Sequence, residues 1–524
     1  MSKNITIYDT TLRDGNQAAG VGLSLRDKLK IAEKLDDFGV DYIEGGWPNA
    51  TNQIDTAFYR EVKKLHLKNS KIAAFGSTKR PRTNIDEDAF IGDLVAADTG
   101  IVTIYGKSWK LHVTEIIRCS PQENLDMIAE SVEYLLQYKD EVIFDAEHFF
   151  DGYKDDAEYA VKVLETAKSA GAKYLVLCDT NGGILPSEFS RIFKNVSQKI
   201  DANIGVHLHN DAGCAEANSI LGAELGAVQI QGTINGMGER CGNANLCTII
   251  PAIQIKLGKN LIPPENMKML KEISISVSEI ANMGHNASAP FVGDNAFAHK
   301  AGAHADGVRK NSISFEHVSP EIVGNSRNFV VSDQAGRGTI LEILKGILHK
   351  NVEKDEPVVN SVLKKVKEME AKGYHFEMAQ GTLELLIHRE MNDFAAPFET
   401  KAFRVIEDKS ESGESVSEAT IKIFNKETRE EVHTAANGDG PVDALYNALI
   451  KAVGELYPSI KKVHLKDFKV RVLEGSEGTA ASVRVLIESS DGVNSWGTVG
   501  VSTNIIEASW DALLDSVYYK LLKG

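Results

Sequence analysis

The first 260 residues of the chain predict a (β/α)8 TIM barrel, and three observations lead to this fold class. Eight short apolar runs, rich in β-branched residues, alternate with amphipathic stretches in the manner of parallel β/α units. The runs are almost continuously apolar, as a sheet that is buried on both faces requires. A doubly wound open sheet would share this alternation, but neither GxGxxG nor GxxxxGK follows the first run. We therefore expect a closed barrel.

Each apolar run is predicted as one strand. In chain order the strands are Ile5–Tyr8, Tyr42–Glu44, Lys71–Phe75, Ile101–Tyr105, Val142–Asp145, Tyr174–Cys178, Ile204–His207 and Val228–Gln231. The stretches between them have helical spacing, and in the first of them Leu25, Leu29 and Leu35 recur on one face. In a barrel of this kind the chemistry lies at the carboxyl ends of the strands.

Residues 261–395 predict a mostly helical linker region between the barrel, residues 1–260, and a third domain, residues 396–524. The segments are helices and loops with charge-rich faces, as in Val359–Lys372. This region also carries the string AGAHADG and the stretch Pro320–Gly338.

The pattern of strands, turns and helices in residues 396–524 predicts a C-terminal α+β domain. It consists of two βββα halves related by a pseudo-twofold axis. The first half consists of strands Ala402–Ile406, Ala419–Phe424 and Glu430–Ala435 and the helix Val442–Leu456. The second half consists of strands Leu465–Leu473, Ala480–Glu488 and Ser495–Ser502 and the helix Asn504–Leu522.

Composition and charge limit the possible functions. A chain of 524 residues is too long for one core, so two to four domains are expected. The net charge of -16 argues against nucleic acid or an anionic membrane as a partner. No apolar run reaches the roughly 18 residues of a membrane span, and the N-terminus does not look like a secretory signal. Five scattered cysteines without a CxxC pair indicate reduced thiols and a cytoplasmic protein.

Polar side chains follow five or six of the eight predicted barrel strands. These segments are Asp9–Gly15, Glu44–Pro48, Asp145–His148, Asp179–Gly183, His207–Asp211 and Asn235–Asn243. Because the carboxyl ends of barrel strands meet at one rim, acids, imidazoles and amides are expected to converge there.

The pair His207 and His209 carries the most chemistry. Strand side chains repeat every two residues, so both rings point to the same side, here the barrel axis. With the carboxylate of Asp14 they form a mixed nitrogen and oxygen set for one divalent ion, with positions left open. Two packed or surface histidines are the alternative for any HxH pair. Their place after the seventh strand, with Arg13 and Asp14 after the first, favours the metal site.

An open divalent site suits Lewis-acid chemistry on a substrate with two neighbouring oxygens. A 2-oxo acid that chelates through its ketone and its carboxylate is such a substrate. Arg13, beside Asp14, is placed to pair with the negative charge of an enolate or alkoxide. A structural salt bridge is the alternative role for Arg13.

These residues resemble the DRE-TIM metallolyases, which are named for an Asp and Arg pair on one strand and a Glu on another. Within that group the chain is similar to the isopropylmalate, homocitrate and citramalate synthases. The strings that carry the resemblance are TTLRDG (Thr10–Gly15), HLHNDAG (His207–Gly213), NGMGERCGNANL (Asn235–Leu246) and NAFAHKAGAHADG (Asn295–Gly307). The strings similar to the citramalate synthase subgroup are YIEGGWP (Tyr42–Pro48), GKSWKLHVTE (Gly106–Glu115), FDAEHFFDGYK (Phe144–Lys154) and CDTNGG (Cys178–Gly183).

The resemblance implies one divalent metal ion, held by Asp14, His207 and His209 with Asn243 as a further ligand. The ligand set of nitrogen and oxygen atoms would accept Zn²⁺, Mn²⁺, Mg²⁺ or Co²⁺.

The resemblance also implies the roles of four other residues. Arg13 and Glu147 are expected to be catalytic. Thr180 is expected to bind the carboxylate of the 2-oxo acid, and Arg13 is expected to bind substrate as well. His304 matches a histidine that takes part in deprotonating acetyl-CoA. Because the barrel does not supply His304, we expect the linker region to fold over a barrel mouth, either its own or that of a partner subunit.

The chain departs from the family at two places. Some relatives have a tyrosine shortly after the histidine motif, where this chain has Ser314 and Phe315. Some citramalate synthases have an aromatic residue just before the strand-five glutamate, where this chain has Asp145. His299 is expected to be structural.

The activity that the resemblance implies is the condensation of acetyl-CoA with pyruvate to (R)-citramalate and CoA, the first step of a threonine-independent isoleucine pathway. Condensation with 2-oxoisovalerate or 2-oxoglutarate, as in isopropylmalate and homocitrate synthases, is the alternative. Carbon–carbon cleavage and a non-catalytic amino-acid sensor are the rival classes, and the AGAHADG region with the C-terminal domain favours condensation. Biotin-dependent carboxyl transfer is disfavoured, because the sequence contains no AMKM-like biotinylation motif.

The C-terminal domain is similar to the regulatory domain of isopropylmalate and citramalate synthases, which binds an end-product amino acid at a dimer interface. The resemblance therefore implies isoleucine as an effector and a homodimer or larger homo-oligomer. A dimerisation module without a ligand is the alternative.

Overall fold

The chain folds into two compact units in the computed structural model. The structure describes residues 5–299, 302–329, 357–376, 378–409, 415–473 and 481–524, and residues 340, 341, 344 and 347. The first unit comprises Met1–Phe297 with Val318–Ser326, and the second comprises Ala298–His317 with Arg327–Gly524. The predicted three-domain division at residues 260 and 395 stays a prediction.

Eight parallel strands form a closed barrel in the first unit. They are β1 (Thr6–Asp9), β2 (Tyr42–Glu44), β3 (Lys71–Ser77), β4 (Ile101–Lys107), β5 (Glu141–Glu147), β6 (Tyr174–Asp179), β7 (Ile204–Leu208) and β8 (Gln229–Gly232). The ring closes because β1 pairs in parallel with both β2 and β8. The predicted barrel is therefore confirmed, and the doubly wound open sheet is not what the chain forms.

Helices surround the barrel. They are α1 (Leu25–Phe38), α2 (Gln53–Glu61), α3 (Ala89–Ala96), α4 (Pro121–Leu135), α5 (Phe149–Asp155), α6 (Ala157–Ser169), α7 (Pro186–Lys199), α8 (Ala215–Leu225), α9 (Leu246–Pro251) and α10 (Leu270–Ile280). Local sequence sets their ends: α1 begins with a capping box between Ser24 and Asp27 and ends at Gly39, whose φ of 93° favours glycine. In the described ranges, no helix combines the length and apolar character that crossing a bilayer requires.

Strand side chains alternate between two hydrophobic cores. Residues such as Ile7 and Val102 pack outward with the helices. Those that alternate with them, such as Tyr8 and Ile143, form a separate buried cluster inside the barrel. Apolar side chains thus fill much of the interior, and most of the polar side chains collect at the carboxyl ends of the strands.

The second unit begins with a short parallel pair, β9 (Ala298–His299) and β10 (Asn328–Phe329), and the helix α11 (Gly302–Lys310). Two further helices follow, α12 (Pro357–Ala371) and α13 (Gln380–Glu390). Residues 330–338 of the predicted stretch Pro320–Gly338, and Lys300 and Ala301 of the histidine motif, lie outside the described residues.

Two βββα halves complete the second unit, as predicted. The elements are β11 (Phe398–Lys409), β12 (Ser415–Asn425), β13 (Glu431–Gly438), α14 (Pro441–Val453), β14 (His464–Val472), β15 (Val483–Ser490), β16 (Ser495–Ser502) and α15 (Ile505–Lys523). Each half is a three-stranded antiparallel sheet, and the two helices and both sheets share one buried core. The last sheet lies so close to α15 that a Cβ at Gly500 would be 2.0 Å from the carbonyl oxygen of Ala508.

Candidate active site

A cavity of about 410 Å³ opens where the barrel strands end. Its wall contains six of the eight predicted site residues. They are Arg13, Asp14, Glu147, Thr180, His207 and His209. Asn243 contacts this group through Asp14, whereas His304 belongs to the second compact unit.

Asp14, His207 and His209 form the centre of the cavity. His207 lies near the end of β7, and His209 follows two residues later, so the two rings lie on the same side of the backbone. The Nε2 atom of His207 lies 3.1 Å from Asp14 Oδ2, and that of His209 lies 3.8 Å from the same oxygen. The two Nε2 atoms are 3.4 Å apart. Three buried ligand atoms therefore converge within 4.8 Å of one another, close enough for one metal ion.

Asn243 adds an amide to this cluster. Its Nδ2 atom donates to Asp14 Oδ2 at 2.7 Å. Among the described residues, its buried Oδ1 atom has no hydrogen-bond partner, which is rare for a native side chain. A rotation of the amide by 180° exchanges the two atoms and turns this oxygen to Asp14. The donor set of one carboxylate, two imidazoles and one amide oxygen thus fits a divalent ion.

The pKa shifts of Asp14 and His209 suit the same interpretation. Burial alone would raise the pKa of Asp14, but the Arg13 guanidinium and the His207 ring hold that pKa below its ordinary value. Burial and the neighbouring His207 lower the pKa of His209 to about 4. The His209 ring is therefore neutral near pH 7, and a neutral imidazole is the form that binds a metal.

Arg13 is held on three sides. Its Nε atom forms an ion pair with Oε1 of the buried Glu44, and its Nη1 atom lies 3.5 Å from Asp14 Oδ1. Its guanidinium carbon lies 3.8 Å from the centre of the Phe75 ring. Glu44 in turn accepts a hydrogen bond of 2.8 Å from the Tyr8 hydroxyl. These contacts fix a positive charge beside the candidate metal ligands.

Glu147 ends β5 and faces a lysine that the sequence interpretation did not single out. The carboxylate Oε2 of Glu147 is paired with Nζ of Lys107, which ends the neighbouring strand β4. Lys107 stands in the string GKSWKLHVTE, and its place at a predicted strand end was the available signal.

Thr180, after β6, has its hydroxyl oxygen occupied. The backbone N–H of His148 donates to Thr180 Oγ1 at 2.9 Å. Because that oxygen already accepts a hydrogen bond, the hydroxyl hydrogen remains for donation to an anionic group such as a carboxylate. The backbone is held too, since Nη2 of Arg240 donates to the carbonyl oxygen of Thr180 at 2.8 Å.

His304 lies on α11 with an exposed side chain. Its ring stacks on Phe315, with the ring centres 4.3 Å apart and the planes inclined by 28°. Phe315 thus contacts His304 directly at the place where some relatives have a tyrosine. His299, expected to be structural, is buried and lies 3.0 Å from Glu316, which Arg327 also binds.

A chain of buried polar side chains leads away from His207. Its Nδ1 atom lies 2.9 Å from Gln231 Oε1 on β8, and Gln231 Nε2 donates to Asp145 Oδ1 at 3.1 Å. Burial raises the pKa of Asp145 to about 7. The sequence interpretation missed Gln231, although Gln229 and Gln231 alternate with apolar residues inside a predicted strand. Such a pattern indicates polar side chains that face a barrel interior.

Aromatic side chains from β3, β4 and the loop after β2 form one wall of the cavity. The rings of Phe75 and Tyr105 are stacked with centres 5.6 Å apart, and Trp47 packs edge-on against both. This wall is apolar and gives the cavity a side suited to a small alkyl group.

Three family models match consecutive parts of the chain. Residues 4–277 match the HMGL-like model, residues 291–374 the homocitrate synthase post-HMGL domain-like model, and residues 377–521 the LeuA allosteric (dimerisation) domain.

Curated relatives match over almost the whole chain. An (R)-citramalate synthase of Aquifex aeolicus is 52% identical over 100% of this chain and 99% of its own length. An (R)-citramalate synthase of Geobacter sulfurreducens is 48% identical over 99% of this chain and 98% of its own. A probable 2-isopropylmalate synthase of Methanopyrus kandleri is 31% identical over 99% of this chain and 98% of its own length.

Proposed function

The chain belongs to the HMGL-like family and, within it, to the (R)-citramalate synthases, and from this premise we propose that it is an acyltransferase that condenses acetyl-CoA with pyruvate to give (R)-citramalate and CoA. The observation that carries the proposal is the convergence of Asp14, His207 and His209 in the cavity that Arg13 borders. The higher identity to citramalate synthases, 52% against 31% for the isopropylmalate synthase, disfavours the alternative 2-oxo acids.

We assign the metal site to Asp14, His207, His209 and Asn243, and to one divalent ion among Zn²⁺, Mn²⁺, Mg²⁺ and Co²⁺. When bound, such an ion polarises the ketone of a chelating 2-oxo acid. Pyruvate offers its ketone and carboxylate oxygens together, as this arrangement requires.

We assign substrate binding to Thr180 and Arg13. The Thr180 hydroxyl donates to the carboxylate of pyruvate, because its oxygen is already engaged by the His148 N–H. The Arg13 guanidinium stabilises negative charge that develops on the ketone oxygen during attack. Its contacts with Glu44 and Phe75 hold it in place before the reaction, so little reorganisation is needed.

We assign removal of the methyl proton of acetyl-CoA to the ring of His304, and we assign Glu147, in the wall of the cavity, as a further catalytic residue. The stacked Phe315 covers one face of that ring and so holds its plane, whereas the ring nitrogen atoms accept and donate at the ring edge. The carbon nucleophile so formed attacks the ketone carbon of pyruvate. Water then cleaves the thioester of the product, which releases (R)-citramalate and CoA.

The aromatic wall of Trp47, Phe75 and Tyr105 supports pyruvate as the 2-oxo acid. We infer that the methyl group of pyruvate packs against this wall, where the side chain of a longer 2-oxo acid would meet the same rings. One methyl group in a pocket contributes only about 1–3 kcal/mol, so a few residues are enough for this selectivity.

We propose regulation and assembly from the C-terminal match. The LeuA allosteric (dimerisation) domain model supports a homodimer or larger homo-oligomer. Isoleucine, the amino acid downstream of citramalate, is the proposed effector. Inhibition requires isoleucine to bind two states of the enzyme with different affinities. The five cysteines are free thiols, in keeping with a cytoplasmic location.

The deciding experiment is a panel of 2-oxo acids supplied with acetyl-CoA and a divalent metal, with the released CoA thiol detected. We expect the highest kcat/KM with pyruvate and a product that co-elutes with (R)-citramalate on a chiral column. Higher kcat/KM with 2-oxoisovalerate or 2-oxoglutarate would refute the substrate assignment. Cleavage of citramalyl-CoA without any condensation would refute the reaction class.

A further inference from the structure

Two buried side chains, Gln231 on β8 and Asp145 on β5, form a hydrogen-bonded chain with His207 on β7. The three residues are 6% (His207), 0% (Gln231) and 3% (Asp145) exposed. Gln231 lies between the other two, with Oε1 2.9 Å from His207 Nδ1 and Nε2 3.1 Å from Asp145 Oδ1. The other ring nitrogen of His207, Nε2, points to the metal-ligand cluster, 3.1 Å from Asp14 Oδ2. Nδ1 of His207 therefore contacts Gln231, whereas Nε2 of the same ring faces the candidate metal site.

Asp145 determines the direction of these hydrogen bonds. Burial raises the pKa of Asp145 to about 7; above that pH its carboxylate is ionised and only accepts, so it requires the amide nitrogen of Gln231 to face it. The same nitrogen lies 3.3 Å from Gln229 Oε1, which is also an acceptor. The amide oxygen of Gln231 is thereby turned to His207, and this oxygen requires a hydrogen on Nδ1. A neutral imidazole with its hydrogen on Nδ1 has its lone pair on Nε2.

We propose that Asp145 and Gln231 are positioning residues that fix the tautomer and the ring plane of His207, so that the Nε2 lone pair faces the metal site. The inference rests on the metal site of the proposed function. Asp145 acts here through Gln231. The chain has this carboxylate where some citramalate synthases have an aromatic residue.

Asparagine at position 145 would remove the directional constraint. Its side chain presents either an oxygen or an NH₂ group to Gln231, so only the 3.3 Å contact with Gln229 Oε1 still orients the Gln231 amide. A reversed amide would donate to Nδ1 of His207 and place the ring hydrogen on Nε2, where it blocks a metal. Loss of the hydrogen-bond partner of a metal-binding histidine typically costs about 10–100-fold in metal affinity.

The test is a double-mutant cycle on metal affinity, measured without turnover. Metal-free unaltered protein, Asp145→Asn, Gln231→Met and the double variant are titrated with Co²⁺, followed by its visible absorption. We expect each single variant to bind Co²⁺ about 10–100-fold more weakly. The double variant should bind no more weakly than Gln231→Met, because Asp145 acts through Gln231.

Two results would overturn the proposal. Unchanged affinity in Gln231→Met would mean that the amide does not position the ring. A further loss on adding Asp145→Asn to Gln231→Met would mean that the Asp145 charge acts on the ion directly. Should Asp145→Asn fail to fold, Gln231→Met alone decides the matter. Unaltered protein that binds no Co²⁺ would instead refute the metal site of the proposed function, and with it the positioning role of Asp145 and Gln231.

Asp9→Asn is the matched control. Asp9 is also a fully buried carboxylate, and it accepts hydrogen bonds from the backbone and hydroxyl of Thr11 rather than from Gln231. We expect its Co²⁺ affinity to equal that of the unaltered protein. An equal loss of Co²⁺ affinity in Asp9→Asn would show that any buried Asp→Asn change disturbs the site, and would overturn the proposed role of Asp145.

Discussion

The Arg240 guanidinium binds the Asp211 carboxylate through two hydrogen bonds, from Nε to Oδ1 at 2.8 Å and from Nη2 to Oδ2 at 2.9 Å. The same Nη2 atom donates to the carbonyl oxygen of Thr180 at 2.8 Å. Thr180 follows β6, Asp211 follows β7 and Arg240 follows β8, so one side chain ties three loops of the candidate active site together.

Arg240→Ala is therefore expected to loosen the loop that carries Thr180. We predict a higher KM for pyruvate and a fall in kcat/KM of about 10-fold or more, because small displacements of positioning groups are costly. Steady-state kinetics at varied pyruvate would measure this. The control is Arg191→Ala on the surface of α7, where Arg191 pairs with Glu188 in the same helix and, among the described residues, with no other acid. Equal kinetics for the two variants would contradict the prediction.

His207→Ala and Asp14→Ala are expected to lose metal and activity together. Each removes one of the three converging ligand atoms, and metal affinity depends on the number of ligands. Elemental analysis of the purified variants, alongside the thiol-release assay, would test this. His433→Ala, an exposed histidine on β13, serves as the control and should retain both. A variant that lacks metal but turns over normally would remove the ion from the reaction.

His304→Ala is expected to lower kcat by about 10²–10⁴ and to leave the metal content unchanged, because a positioned base contributes about that factor. Phe315→Leu retains the imidazole but removes the stacked ring, so its kcat should fall less. Parallel measurement of kcat and bound metal would separate the two roles. Unchanged kcat in His304→Ala would exclude this residue as the base.

Asp145→Asn is expected to make the metal-free protein more stable above neutral pH. Burial raises the pKa of Asp145 from 3.8 to about 7, so the folded state holds a proton that the unfolded chain releases. Stability from this proton is present below pH 4 and is lost as the pH rises to about 7. Because asparagine has no such proton to lose, the gain should reach at most about 4 kcal/mol above pH 7.

Thermal unfolding of both metal-free proteins between about pH 5 and pH 8 would measure this gain. It should shrink as the pH falls. A gain independent of pH, or a lower Tm for Asp145→Asn above neutral pH, would contradict the prediction. A variant that is more stable but binds metal more weakly would separate the positioning role of Asp145 from any role in folding.

The sequence predicted the barrel because each strand is a nearly unbroken apolar run. Tyr42–Glu44 was predicted with its observed bounds. The strands β3, β4 and β5 extend two residues further at their carboxyl ends, to Ser77, Lys107 and Glu147. Those last residues are polar, so they ended the apolar run in the sequence. In the fold they continue the strand towards the cavity, where polar side chains meet water and substrate.

The candidate site was predictable where one short motif contains the chemistry, as with His207 and His209. It was less predictable where function depends on a partner distant in the chain. Arg240 lies 60 positions from Thr180, and Gln231 lies 86 from Asp145. Neither contact has a local signature, because each depends on the pairing of different strands. Strand alternation alone could have indicated Gln231 as a polar residue inside the barrel.

The proposed metal ligands lie on both sides of the line where the ring closes. Asp14 follows the first strand and Asn243 follows the last, 229 positions later, and the bond between them spans the seam between β1 and β8. An ion held there would act as a clasp that exists only in the completed ring. Its binding free energy then counts towards closure of the barrel, and a nascent chain would gain it only after the eighth strand has been made.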